Sequence, residues 1–110
     1  MITRFALFEG SIKEGKTEAF RTAVKERLVP LWTRFPGNTD VRVMFGEDHD
    51  EGAPEFPLIL AISYPDTATM TAALDSSARF QSKSVTGQIV EEFFDGRIHH
   101  HVAERHEFVA

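Results

Sequence analysis

The first third of the chain changes from a strand-like pattern to a helical one. Thr3 to Glu9 alternates weakly and carries apolar residues on both sides, which predicts a strand whose two faces are at least partly covered. Gly10 to Gly15 is polar and predicts a turn. From Thr17 onward, apolar residues recur at intervals of three and four and would form one helical stripe: Phe20, Val24, Leu28, Leu31 and Phe35. We therefore expect a helix over about residues 17–35.

This helix contains a proline. Pro30 lacks an amide donor, and its ring clashes with the preceding turn, so we expect a kink near Glu26 to Pro30. Pro36 and Gly37 should then end the helix.

Two more strands follow. Asp40 to Gly46 alternates, with Val43 on one face and Met44 on the other, and Phe56 to Tyr64 is a continuous apolar run that is short enough for a buried strand. The loop between them, Glu47 to Glu55, is strongly acidic. We expect a solvated hairpin loop, because Gly52 stands where a calcium loop would need its third oxygen ligand.

The second half contains an interrupted helix and a last strand. Asp66 or Thr67 can cap a short helix, and Asp75 to Ser77 interrupts the pattern with three further capping residues. A second helical piece should run to about Phe94, with Gly96 as its C-terminal residue. Arg97 to Val109 predicts the fourth strand.

The order β-α-β-β-α-β over residues 1–110 predicts one α+β domain with a ferredoxin-like, four-stranded antiparallel sheet. Both helices should then cover one face of the sheet. Apolar residues such as Phe8 and Met44 also lie opposite the more apolar sides of their strands, so the second face needs a cover as well. A second copy of the chain is the simplest one, and we expect a homodimer built by sheet-on-sheet packing.

Composition narrows the range of functions. The net charge of −5 argues against a nucleic-acid partner, and no apolar run approaches a signal segment or a membrane span, so we expect a cytoplasmic protein without a membrane partner. The chain has no cysteine, which excludes disulfides, thiolate nucleophiles and cysteine-based metal sites. The loop from Glu47 to Glu55 holds five of the 17 acidic residues and no basic one, so the excess of negative charge is local.

Taken together, the element order and several segments resemble the dimeric α+β barrel superfamily. The segments are Thr3 to Glu9, Glu18 to Trp32, Ser76 to Phe80 and Phe93 to Glu104. The chain is most similar to the EthD-like and stress-responsive A/B barrel branches, followed by the antibiotic-biosynthesis monooxygenase branch. The resemblance implies two ferredoxin-like subunits packed sheet against sheet, often with a small-molecule pocket in the barrel interior.

Members of this superfamily include cofactor-free monooxygenases, haem-degrading enzymes, lactone isomerases and polyketide cyclases, beside proteins with no known reaction. A cyclase of this group uses a histidine in the interrupted second helix with a tyrosine on the third strand. The resemblance makes Tyr64, at the end of the third strand, a candidate catalytic residue, while Arg79 stands where the histidine would fall.

Three consecutive histidines are the most unusual local feature. On a strand, His99 and His101 share one face and His100 points to the other. If the face of Ile98 and Val102 lies on the helices, His99 and His101 enter the barrel. There they could act as a proton acceptor and its relay or hold a metal with a further ligand, or simply be hydrogen-bonded polar residues of a strand. Our prediction takes them as catalytic candidates, with no metal and no cofactor assigned.

Four residues are candidates for substrate binding. Arg4 and Arg42 could neutralise a carboxylate or phenolate if they point into the barrel. The alternative, which we favour, is that they lie at strand ends and reach solvent or pair with Glu9 and Glu104. Phe8 and Met44 would add apolar contact area on the same face.

Two functional hypotheses of different classes remain open. The first is a homodimeric enzyme, EthD-like or monooxygenase- or cyclase-like, that acts on an apolar aromatic or polyketide-like substrate without a bound cofactor. The second is a non-catalytic stress-response or binding protein whose barrel is filled by its own side chains.

Overall fold

The computed structural model describes residues 1–110 and forms one four-stranded antiparallel sheet covered by helices on one face. The sheet order is β2-β3-β1-β4, so β1 and β3 are central and β2 and β4 are edge strands. The elements in chain order are β1 (Ile2–Ile12), α1 (Thr17–Ala23), a π-helical turn (Val24–Leu28), α2 (Val29–Trp32), β2 (Asp40–Phe45), β3 (Leu58–Tyr64), α3 (Thr67–Leu74), α4 (Ser77–Phe93) and β4 (Phe94–Glu104). This architecture confirms the prediction of an α+β, ferredoxin-like fold. None of the helices has both the length and the apolar content needed to cross a bilayer.

The first helix is continuous, and it accommodates its proline with a change of helical repeat. At the predicted position of the kink, Val24–Leu28 is π-helical, and the amide of Val29 donates to the carbonyl of Val24, five residues earlier. Pro30 follows in the first turn of α2, where the missing amide is least costly. Because a π turn holds more residues than an α turn, the buried stripe shifts by one position. Trp32 is buried and Leu31 is only half-buried, so the prediction of Leu31 was wrong.

The interrupted second helix is confirmed, and its two N-termini are capped as predicted. The Asp66 carboxylate accepts a hydrogen bond from the amide of Thr69 at 2.8 Å, and the Ser76 hydroxyl accepts one from the amide of Arg79 at 3.2 Å. Side chains at the N-terminus of a helix stabilise it because the first amides have no partner within the helix. The caps therefore fix where α3 and α4 begin.

The region of Gly10 and Gly96 differs from the prediction. Gly10 was expected in a turn and Gly96 at the end of a helix, but the two residues pair with each other in the β1–β4 ladder. A Cβ atom on Gly10 would lie 2.1 Å from the carbonyl oxygen of Asp95, and its φ of +145° disfavours other residues. A Cβ on Gly96 would meet the carbonyl oxygen of Glu9 at the same distance. Close approach of two backbones, not a turn or a cap, explains both glycines.

The register settles which side chains share a face. Phe8 lies opposite Leu58 and Ile98, and Arg4 lies opposite Ile62, all on the side covered by the helices. Phe8 and Arg4 were predicted to point away from the helices, and that placement was wrong. The reason is that β1 carries apolar residues on both faces, so alternation alone could not decide its orientation.

The other face of the sheet has no cover within the chain. We call it the open face, and its central residues are Phe5, Leu7, Met44, Ile59 and Ala61. Met44 is 43% exposed. The chain thus has its buried core under the helices and a partly exposed apolar surface on the opposite side of the same sheet.

Candidate functional site

A cavity of about 370 Å³ lies between the helix-covered face of the sheet and helix α4. We call it the helix-side pocket. Its apolar lining consists of Ala6, Phe8, Trp32, Phe35, Leu60, Ile62, Val90 and Ile98. An apolar wall of this kind, combined with a set of polar side chains, is typical of a site for a small organic molecule.

Small residues make room for this pocket. Ala6 lies between Leu60 on β3 and His100 on β4 in the sheet register. The central position of these three neighbouring side chains therefore holds only a methyl group, which leaves space above the sheet. Gly87 lines the opposite wall on α4, and a Cβ atom built there would meet nothing within 4 Å. The wall from α4 is formed by residues at helical spacing, among them Arg79, Lys83 and Val90.

The polar groups of the pocket come from four elements. β1 contributes Arg4, β3 contributes Tyr64 and β4 contributes His100. Helix α4 contributes Arg79, Ser82, Lys83 and Thr86. No aspartate or glutamate lines the pocket. Its polar lining is therefore basic or neutral, although the chain as a whole is acidic.

These side chains have few partners within the chain. Arg79 makes a long hydrogen bond of 3.4 Å from Nη1 to the carbonyl oxygen of Leu74. Arg4, Tyr64 and His100 form no side-chain hydrogen bond or ion pair with the rest of the protein, and Lys83 forms none either. Because polar groups in protein interiors are nearly always paired, these groups have hydrogen-bonding capacity left for a ligand or for solvent.

The pocket shifts the titration of its ionisable groups. The pKa of His100 is lowered to about 4, first by desolvation and then by the charges of Arg4 and Arg79. His100 belongs to an edge strand and is exposed, so solvent screens part of this effect. Burial raises the pKa of Tyr64, which the two arginines partly oppose. At neutral pH the pocket thus offers a neutral imidazole and a protonated phenol beside two guanidinium groups.

The predicted site residues separate into two groups. Arg4, Phe8 and Tyr64 lie together in the helix-side pocket, whereas His99, His101, Arg42 and Met44 lie on the open face. His99 and His101 point away from the helices, as expected from the position of Ile98. The functional roles of all seven residues stay predictions.

On the open face, most polar side chains pair with one another, although His101 has no such partner. Nε2 of His99 lies 2.6 Å from Oε1 of Glu9, and this hydrogen bond is the main cause that lowers the pKa of Glu9. Arg97 lies 3.5 Å from the same oxygen. Because Glu9 already engages His99, that imidazole is oriented by its own chain.

A second depression, of about 320 Å³, lies at one end of the open face. Arg42 and Met44 line it, together with Arg105, whose Nη1 lies 2.8 Å from Oδ2 of Asp40. Arg42 lies 3.7 Å from the same carboxylate oxygen. The cations of this depression therefore already have a counter-charge.

The remaining candidates concern metal binding and the acidic loop. No group of three or more histidine, aspartate or glutamate side chains is placed to hold a metal ion. The acidic loop is exposed, as predicted, and its Asp48 carboxylate accepts a hydrogen bond from the amide of His49.

Sequence reasoning missed His100, Lys83 and the role of Arg79 in the pocket. The alternation of the three histidines identified two possible faces, but the apolar neighbours of His100 assigned it to the core. Arg79 was noticed only as a departure from a cyclase pattern. The available signal was the helical spacing of Arg79 and Lys83, which places both on one side of α4.

Comparison with known proteins supports the fold. The sequence matches no protein-family model, and no curated protein matches it. Among solved structures, an EthD-family protein from Bacillus halodurans is 23% identical with a TM-score of 0.72, covering 96% of this chain and 99% of that one. SnoaB, a cofactor-independent oxygenase from Streptomyces nogalater, is 13% identical with a TM-score of 0.64, covering 98% and 95%.

A third structure is a dimeric ferredoxin-like protein of unknown function from a Jannaschia species. It is 19% identical with a TM-score of 0.64, covering 94% of this chain and 98% of that one. These neighbours agree with the superfamily that the sequence resembles. At such identities they establish the fold and leave the activity open.

Proposed function

We propose that the chain is a homodimeric, small-molecule-transforming protein that holds an apolar aromatic or polyketide-like substrate in the helix-side pocket of each subunit. The observation that carries this proposal is an apolar cavity of about 370 Å³ whose tyrosine, histidine and Arg4 side chains have no partners within the chain. A barrel interior filled by its own side chains, our alternative hypothesis, does not require such a cavity on the helix side. The proposal needs no bound cofactor.

His100 is the proton acceptor in this proposal. A neutral imidazole can take a proton from an acidic C–H or O–H of the substrate, and the resulting anion would lie beside Arg4 and Arg79. Tyr64 keeps its proton and can donate a hydrogen bond to the same anion. The anion could then attack a carbonyl carbon of the same substrate, which forms a C–C bond, breaks the C=O π bond and leaves an alkoxide that takes the proton back from His100. With dioxygen as the acceptor instead, the electron pair of the anion would form a C–O bond, and the peroxide anion would take that proton to give a hydroperoxide.

The open face supports the homodimer. Its apolar centre is partly exposed in a single chain, and neighbours of the same fold are described as dimeric. Packing a second copy there would leave the helix-side pocket of each subunit accessible, because the two sites lie on opposite sides of the sheet.

The non-catalytic alternative is favoured by one observation. A catalytic histidine is usually oriented by a carboxylate or carbonyl, and His100 has no such partner. A lowered pKa also weakens it as a base. A protein that only binds its ligand in the pocket would show this same arrangement.

The three consecutive histidines provide the test. We would assay a panel of hydroxylated polycyclic aromatics and 1,3-diketones by absorbance and by dissolved-oxygen consumption. We expect His100→Gln to lower kcat by about 100-fold, in the range of general acid–base catalysis, and Tyr64→Phe to lower it less. His99→Gln and His101→Gln, on the open face, are the matched controls and should keep turnover.

The opposite outcome, with loss of turnover only in His99→Gln or His101→Gln, would return the chemistry to the open face. Tight binding by all variants without turnover of any compound would favour the non-catalytic alternative.

A further inference from the structure

The arginines of the chain differ in whether a carboxylate lies near them. Of the eight arginines, Arg21, Arg42, Arg97 and Arg105 each have an aspartate or glutamate oxygen within 4 Å. The other four have none, and their surroundings separate them into two pairs.

Arg27 and Arg34 lie exposed on the protein surface, where water solvates the charge. Arg4 and Arg79 are half-buried, and both line the helix-side pocket. The two guanidinium groups that are partly withdrawn from solvent and lack a counter-charge are thus the two that face the cavity.

Their proximity makes the missing counter-charge more costly. Arg79 lies close enough to lower the pKa of Arg4, an effect that adds to desolvation. Lys83 adds a third cation at the exposed edge of the pocket. Two like charges in a partly desolvated site are most stable when an anion lies between or beside them.

The geometry and the lining together specify the ligand. A guanidinium group presents parallel N–H donors that match a planar carboxylate, and it also binds a phenolate or enolate oxygen. The rest of the wall, including Phe8, Trp32 and Leu60, is apolar and suits a ring system.

We infer that the helix-side pocket selects an anionic ligand whose negative charge is bound by Arg4 and Arg79. The ligand is an apolar ring system that bears a carboxylate, or the anion of an equally acidic enol or phenol. This inference rests on the proposed function, which placed an apolar substrate in the same pocket, and adds the charge of that substrate. Lys83 at the edge contributes electrostatic attraction on entry.

The test compares two probes of equal shape and different charge. Binding of 2-naphthoate and of its neutral counterpart 2-naphthamide is measured by titration calorimetry at low ionic strength with the full chain. We expect the carboxylate to bind at least about tenfold more tightly, in line with a charge-assisted hydrogen bond. Added salt should weaken the binding of 2-naphthoate and leave that of 2-naphthamide nearly unchanged.

Variants assign the preference to the two arginines. Arg4→Gln and Arg79→Gln should each lower the affinity for 2-naphthoate about tenfold without changing that for 2-naphthamide, and Arg4→Lys should restore part of it. Arg34→Gln, which removes an exposed arginine elsewhere, is the matched control and should have no effect. If Arg4→Gln fails to fold, Lys83→Gln at the exposed edge should still reduce the charge preference.

The outcomes separate this inference from the function on which it rests. Equal affinity of the wild-type protein for both probes would overturn the anion preference and leave an apolar binding pocket intact. Failure of both probes to bind would count against the pocket itself, and a preference for 2-naphthoate that survives in both arginine variants would place the anion elsewhere.

Discussion

On the open face of the sheet, most polar side chains other than His101 find partners within the chain, whereas the polar side chains of the helix-side pocket have few. Glu9 binds His99, and Asp40 binds Arg105. Across the same sheet, Arg4, Tyr64 and His100 have no intramolecular partner. The buried hydroxyls of Thr3 and Ser63 extend the contrast, since they lie 2.7 Å apart on the open side.

This difference indicates different purposes for the two faces. Pairing polar groups within the chain removes their demand for other partners, which suits a surface that is to be covered by apolar contact. Leaving them unpaired in a cavity keeps their hydrogen-bonding capacity available to a ligand. The two faces can therefore be altered independently, and the following experiments use that independence.

The largest effect is expected from a charge at the centre of the open face. Leu7 lies opposite Ile59 and His99 there, so Leu7→Glu would bury a carboxylate in the proposed interface. We expect light scattering at micromolar concentration to change from about twice the 12.4 kDa chain mass to the mass of one chain. Phe80→Glu, at an exposed apolar residue on α4, is the control and should remain dimeric. A wild-type protein that scatters as a monomer would contradict the homodimer.

A smaller effect is expected from filling the helix-side pocket. Gly87 lies in α4, and a side chain there would enter open space, so Gly87→Leu should lower the affinity for 2-naphthoate about tenfold while the dimer persists. Replacing a helical glycine also favours the fold, by roughly 0.5–1 kcal/mol for Gly87→Ala in chemical denaturation. Gly87→Ala is the control for size. If Gly87→Leu binds as well as Gly87→Ala, the ligand does not occupy this wall of the pocket.

The smallest effect concerns the pH dependence of stability. The pKa of His100 is about 4 in the folded state and 6.5 ordinarily, so between these values the unfolded chain binds more protons. The contribution of neutral His100 to the free energy of unfolding is fully present above pH 6.5 and is lost as the pH falls toward 4. Denaturant unfolding over this range should show a decline that His100→Gln reduces.

Glu9 provides the contrasting case on the open face. Its pKa is lowered from 4.5, chiefly by the hydrogen bond from His99, so its contribution is present above pH 4.5 and is lost as the pH falls below that value. Glu9→Gln should therefore change how the free energy of unfolding varies below pH 4.5. It should not alter the loss of stability between pH 6.5 and 4 that is assigned to His100. A single transition that both variants shift equally would mean that the two faces do not titrate independently.

The sequence was sufficient for the fold because element order and periodicity are local properties. The helical spacing from Phe20 to Leu28 and the caps at Asp66 and Ser76 depend only on neighbouring residues. The face of β1 could not be assigned in this way, because Phe5 and Phe8 are both apolar and lie on opposite sides.

The pocket was harder to locate because it depends on what is missing from a packed layer. Ala6 and Gly87 are distant in sequence, and only the assembled fold shows that both leave space in the same cavity. The alternation along β4 places His100 on one face and His99 and His101 on the other. Only the position of the cavity shows that His100 is the histidine that lines it. The prediction that Leu31 is buried failed for a similar reason, because Trp32 takes the buried position only as a result of the π-helical turn.

That π-helical turn has a consequence for how the aromatic wall of the pocket could have arisen. A π turn corresponds to one residue more than an α turn, and each residue of an α-helix rotates the chain by about 100°. The π-helical turn between Val24 and Leu28 therefore accommodates one extra residue, and Trp32, which follows it in α2, still faces the core. A chain that lost one residue within this turn could become α-helical throughout and still present the same tryptophan to the cavity.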